Sequence, residues 1–146
     1  MLLHKNNKFI YKNAATIELP NNVYLDPSPD PCLIEGIVIY SSDMRARIEL
    51  NFVATEKEAR AFLEEGLAVY ETVECTKPMT PVSTNGIEGF TIAYATKRHS
   101  YEEYAFTLAD GSELLSVCIE QKRDNLADPT QYSQLISELL AGVQIV

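Results

Sequence analysis

The sequence predicts an α+β fold, an antiparallel β-sheet of about six strands flanked by helices, and three observations carry that expectation. Asp110-Gly111, set between alternating apolar and polar residues, supplies the positive backbone angles of a tight hairpin. Tyr104 to Leu108 should therefore run antiparallel to Glu113 to Ile119. Apolar residues recur at helical spacing twice, as Ala59, Phe62, Leu63, Gly66 and Tyr70 and as Tyr132, Leu135, Ile136, Leu139 and Val143. Finally, the hairpin strands pair one large apolar face with one of small, mostly uncharged residues, which calls for a helix packed closely over it.

Taken in order, Phe9 to Lys12 and Ala15 to Leu19 read as short strands turning at Asn13, with Pro20 ending the second. Asn21 to Cys32 holds Pro27, Pro29 and Pro31 with Asp26 and Asp30, and reads as a semi-rigid, extended surface loop. Ile37 to Tyr40 is continuously apolar and Arg47 to Val53 alternates, so two strands meet at a turn near Ser41 to Asp43. Thr55 and Glu58 have the spacing of a capping box, predicting a helix from about Glu56 to Thr72 with Gly66 on its buried stripe. Lys77 to Gly86, with Pro78 and Pro81, reads as a loop.

The next hairpin, with its loop at Lys97 to Tyr101, would pair Tyr94 with Tyr104, Ile92 with Phe106 and Phe90 with Leu108. All large residues would then share one face. Thr91, Ala93, Ala95, Ala105, Thr107, Ser116 and Cys118 would lie on the other, beneath a helix. Asp128, Pro129 and Gln131 announce the last helix, and Gly142 reads as its left-handed stop.

A chain of 146 residues is read as a single domain spanning 1–146. Its hydrophobic content of 46% and charged content of 23% are ordinary for a globular protein. No apolar run approaches the ~20 residues of a membrane span, and Met1 to His4 is too short for a signal-peptide core. The expected setting is the cytoplasm. Cys32, Cys75 and Cys118 contain no CxxC pair and read as reduced structural thiols. The net charge of −9 is spread evenly and no basic patch of useful size stands out, which argues against nucleic acid as a partner. Lys5, Lys8 and Lys12 read as a solvated surface.

Chemistry is sparse. His99, Glu102 and Glu103 have a metal or acid-base composition, but on a strand His99 and Glu103 point one way and Glu102 the other. Ser100 beside His99 does not form a nucleophile-base pair. Phosphate-cradle and zincin motifs are missing from the sequence, so no catalytic residue, cofactor or metal ligand is assigned. The candidate binding residues are Tyr94, Tyr101 and Tyr104 beside Lys97, Arg98 and His99, together with Asp26 and Asp30 in the proline loop. Against that stands the plainer reading that Tyr94 and Tyr104 are core residues with hydroxyls at the rim.

Phe9-Ile-Tyr-Lys-Asn with Ile17-Glu-Leu-Pro20, the strand and helix of Arg47 to Tyr70, Asn85 to Phe90 (NGIEGF) and the YEEYAF…DG…LLSV hairpin together resemble the PsbP-like family. That family includes DcrB-like bacterial domains and a Ran-binding branch. The resemblance implies an α/β/α sandwich and a binding or assembly role rather than an enzyme: photosystem subunits, a small-GTPase partner, secretion chaperones. No ligand motif of any branch matches residue by residue, so no site is carried over. The preferred expectation is a non-enzymatic protein-binding or chaperone/assembly module with another protein as partner. The alternatives are a small-ligand or enzymatic domain with a pocket between sheet and helix, and a toxin-neutralising acidic protein.

Overall fold

The computed structural model describes residues 2–5, 8–12, 14–26, 35–69, 73–108, 111–123 and 132–145. Strands β1 (Leu2–Lys5), β2 (Lys8–Tyr11), β3 (Ala15–Glu18), β4 (Val23–Leu25), β5 (Gly36–Ser41) and β6 (Ala46–Ala54) precede helix α1 (Ala59–Ala68). After it come β7 (Glu74–Thr84), β8 (Ile87–Ala95), β9 (His99–Thr107), β10 (Glu113–Lys122), α2 (Ser133–Ala141) and β11 (Val143–Ile145). They build two antiparallel sheets, a large one ordered β4-β5-β6-β10-β9-β8-β7 and a small one ordered β1-β2-β3-β11.

Period-2 alternation sorts the large sheet into two faces. Ile48, Leu50 and Phe52 of β6, Leu115, Val117 and Ile119 of β10, and Tyr104 and Phe106 of β9 share one face. They meet Phe9, Tyr11, Ala15 and Ile17 of the small sheet and Leu135, Ile136, Leu139 and Leu140 of α2 in one buried core. Tyr11 stacks on Phe52 with ring centroids 4.0 Å apart. On the opposite face α1 lays Ala59 and Leu63 over Ile92, Tyr94 and Ala105, a second core. The result is three layers, α1 over the large sheet over the small sheet with α2, in the expected α+β class.

The Asp110-Gly111 hairpin has the expected register, with Phe106 opposite Leu115 and Tyr104 opposite Val117. Gly111 takes φ +72°. The upstream hairpin differs. Its turn is tight, centred on Lys97 and Arg98, so Tyr94 pairs with Tyr101, Thr91 with Tyr104 and Gly89 with Phe106. That is an odd shift from the expected pairing, and an odd shift exchanges faces. Phe90, Ile92 and Tyr94 therefore serve the α1 core, while Thr91, Ala93 and Ala95 lie on the α2 side. Ala105 does lie under a helix, as expected. Both faces of β8 are covered, and so hydrophobicity alone could not choose between the registers.

Further differences have local causes. Val23–Leu25, inside the predicted proline loop, forms an edge strand; residues 27–34, with Asp30 and Cys32, lie outside the described residues. Glu74–Thr84 is a strand rather than a loop: β7 is an edge strand, where prolines omit no ladder bond the sheet needs, and its pairing is irregular around Pro78. Asn85 and Gly86, with φ of 50° and 76°, make the tight β7–β8 turn. Helix α1 begins at Ala59 and not in a Thr55-Glu58 capping box; Thr55 Oγ1 instead accepts from the Lys57 amide at 3.2 Å. Gly66 is exposed, with no heavy atom near a Cβ built there. Helix α2 buries the expected stripe, with the predicted cap at Asp128 to Gln131 outside the described residues. Gly142 is not left-handed, at φ −82°; it is needed because a Cβ there would strike the Glu18 carbonyl oxygen. Asn85 Nδ2 donates to the Ala141 and Val143 carbonyls at 2.8 and 2.6 Å, tying the β7–β8 turn to the end of α2.

Candidate functional site

The tight β8–β9 turn brings the sequence-predicted binding residues to one end of the large sheet. The Thr96 amide donates to the His99 carbonyl at 2.9 Å, which leaves Lys97 and Arg98 at the tip, both exposed. Register then adds residues that are distant in sequence. His99 stands opposite Lys122, and the Arg123 amide donates to the Arg98 carbonyl at 2.9 Å. The Arg123 guanidinium reaches the Thr96 carbonyl at 3.1 Å. Two Lys-Arg steps, Lys97-Arg98 and Lys122-Arg123, are thereby held side by side by backbone bonds. With His99 they line a depression of about 650 Å³.

This corrects the expectation that no useful basic patch exists. Each step alone is an ordinary dipeptide, and only the β9–β10 register unites them. Aromatic groups flank the cations. Tyr101 stacks on Tyr94 at 5.1 Å between centroids, and His99 lies 6.0 Å from Tyr101. Tyr94 is itself core, 1% exposed, so its part is to support Tyr101 from below. Tyr104 is turned to the other face, where its hydroxyl donates to Glu102. Burial, followed by the Glu102 carboxylate, pushes the Tyr104 hydroxyl above its usual range. Asp26 belongs to another region, at the end of β4, four strand positions from β9. The candidate residues thus separate into an exposed Arg98 with half-buried His99 and Tyr101, the latter packed against the α1-side core, Tyr94 and Tyr104 in the two cores, and Asp26 apart.

Acidic groups border the cluster. His99 Nε2 lies 3.6 Å from Glu120, and Arg123 shares an adjoining depression of about 390 Å³ with Glu74 and Glu102. Further along the α1 face, Glu49, Cys118 and Glu103 stand in a row across β6, β10 and β9. Burial raises the Glu103 carboxyl, and the Glu49 charge adds to it, against hydrogen bonds from Tyr94 and Cys118. Burial and the carboxylates of Glu103, Glu49 and Glu120 likewise raise the Cys118 thiol. A carboxyl raised on folding stabilises the protein below its unfolded value, about pH 4.3, and that contribution is lost as pH rises through the folded value. Glu103→Gln should therefore raise the urea midpoint at neutral pH, with no difference from wild type near pH 4. A lower midpoint at neutral pH would mean that the ionised carboxylate is held by bonds stronger than its burial.

Among the described residues, no three or more His, Cys, Asp or Glu side chains are placed to hold a metal ion. No helix among them is long and apolar enough to cross a membrane. Cys75 and Cys118 are free thiols, the first exposed and the second half-buried.

No family model matches the chain and no curated protein does. Solved structures do match. The Ran-binding protein Mog1p of Saccharomyces cerevisiae superposes with a TM-score of 0.62 at 14% identity, over 94% of this chain and 93% of that one. The chain has the fold of Mog1p. LpqN, involved in cell envelope biogenesis of Mycobacterium tuberculosis, matches with a TM-score of 0.61 at 8% identity, over 92% of this chain and 86% of LpqN. A Bacteroides thetaiotaomicron structure matches 98% of this chain with a TM-score of 0.59 at 9% identity, and the chain spans 49% of its length. With Mog1p and LpqN the agreement extends over most of the length of both chains, so the α+β fold is shared.

Proposed function

We propose that this chain is a non-enzymatic protein-binding module, a single domain and a divergent relative of the PsbP-like family, which contacts its partner through the β8–β9 turn end. The carrying observation is the juxtaposition there of Lys97, Arg98, Lys122 and Arg123 with His99 and a Tyr101 ring supported from below. Aromatic and guanidinium groups on a rigid frame are the residues that dominate protein interfaces. The Ran-binding description of Mog1p is support by analogy of fold. A chaperone groove for apolar helices fits less well, since among the described residues the exposed large apolar ones, Tyr24, Leu25, Met44 and Val69, come from three separate places in the chain. The setting we propose is the cytoplasm, with which the free thiols of Cys75 and Cys118 agree.

The test is capture from the source cells with tagged wild type, the reversal Lys97→Glu/Lys122→Glu, and a control reversal at the start of α1 and just before it, Lys57→Glu/Arg60→Glu. A protein held by wild type and control, absent from the first variant and released by salt, is the expected result. Identical capture by all three would remove this end of the sheet as the contact surface.

A further inference from the structure

We propose that what the turn end receives from its partner is a short acidic peptide segment, its carboxylates seated between the two Lys-Arg steps. This inference rests on the protein-binding reading and names the partner's chemistry. The cations are placed, not merely present: Arg123 is fixed to Arg98 and Thr96 by bonds of 2.9 and 3.1 Å to their carbonyls, and the Lys122 position is set by its register with His99. Lys97, Arg98 and Lys122 have no ion pair with any described residue, whereas Lys12, Arg47, Lys57 and Arg60 each have one. The guanidinium of Arg98, carried on a tight turn, presents a planar fork that matches a carboxylate. Beside them the Tyr101 ring offers a surface for an apolar neighbour in the same segment.

The limited extent of the patch selects a peptide over nucleic acid. Glu120 borders it on the His99 side, and beyond Arg123 the adjoining depression carries the two carboxylates of Glu74 and Glu102 against the single cation Lys77. A duplex carries a charge about every 1.7 Å, so its backbone would run from the cations directly onto these carboxylates. A segment with two or three acidic residues fits the depression of about 650 Å³ and ends before them. Basic residues flanking such a segment would meet Glu120 and Glu74, which adds direction to the contact.

The experiment measures fluorescence anisotropy of a dye-labelled oligoglutamate peptide, its oligolysine counterpart and a single-stranded DNA oligomer of equal length. Proteins are wild type, Lys97→Gln/Lys122→Gln and Arg98→Gln, exposed changes whose folding is verified by an unchanged thermal melt. Oligoglutamate should bind best, lose affinity with salt, and bind each variant about tenfold or more weakly. DNA binding more tightly than oligoglutamate, or undiminished peptide binding by the variants, would overturn the inference. So would absence of peptide binding by a wild-type protein that still captures its cellular partner through Lys97 and Lys122; in that case the protein-binding reading stands and the acidic segment falls. Loss of both would end the two together.

Discussion

Ala105→Arg is expected to destabilise the protein by well over 2 kcal/mol, because it drives a long charged side chain into a sealed contact. Ala105 is 0% exposed and belongs to the core that Ala59 and Leu63 of α1 form with Ile92 and Tyr94. Its pairing neighbours Phe90 and Ser116 stand on the same face, so the new side chain has no lateral exit along the sheet. The guanidinium would either stay unpaired beneath the helix or lift α1 from the sheet. Denaturant unfolding measures the loss. A change within about 0.5 kcal/mol of wild type would mean that α1 does not seal this face in solution.

Gly142→Ala should also be costly, by about 1–3 kcal/mol or more, and the sign is the informative part. At an ordinary helix end, Gly→Ala gains about 0.4–1 kcal/mol by restricting the unfolded chain. Gly142 has unremarkable helical angles, so conformation does not forbid alanine. Space does. Its added Cβ would run into the Glu18 carbonyl oxygen, and the Glu18 amide already donates to the Gly142 carbonyl at 2.9 Å. The methyl group must therefore pry α2 and β11 away from β3. Gly66→Ala is the matched control, since nothing lies near its Cβ in exposed α1; it should gain about 0.5–1 kcal/mol. Stabilisation by both changes would show that α2 does not approach β3 closely.

The layers were legible in the residues wherever one period and one solvent-facing side were present. Arg47 to Val53 and the stripe of α2 are of this kind, as is the Asp110-Gly111 turn, which permits one register. The β8–β9 pairing was not, because Phe90, Ile92 and Tyr94 are equally suited to either covered face. Asn85-Gly86 carried as strong a turn signal as Asp110-Gly111, but Pro78 and Pro81 masked the strand before it; an edge position tolerates both. The aromatic and cationic half of the candidate site, Arg98, His99 and Tyr101, could be read locally. Lys122 follows from extending the Asp110-Gly111 register as far as His99, whereas the placing of Lys97 and Arg98 beside Lys122 and Arg123 depends on where the β8–β9 turn falls.

The pairing of β11 with β3 has a consequence for the order in which the fold can be assembled. Val143 lies opposite Ile17, so the small sheet joins segments from opposite ends of the described chain, whereas the β7–β8, β8–β9 and β9–β10 hairpins close between neighbours in sequence. Local pairings form first and distant ones wait for loop closure. During vectorial synthesis the seven-stranded sheet can be complete while β3 still lacks its last partner, β11. Until α2 arrives, its side of the core around Phe106 and Val117 stays open to water and to other nascent chains. The interval before residues 133–145 leave the ribosome is therefore the period in which this protein is most exposed to aggregation.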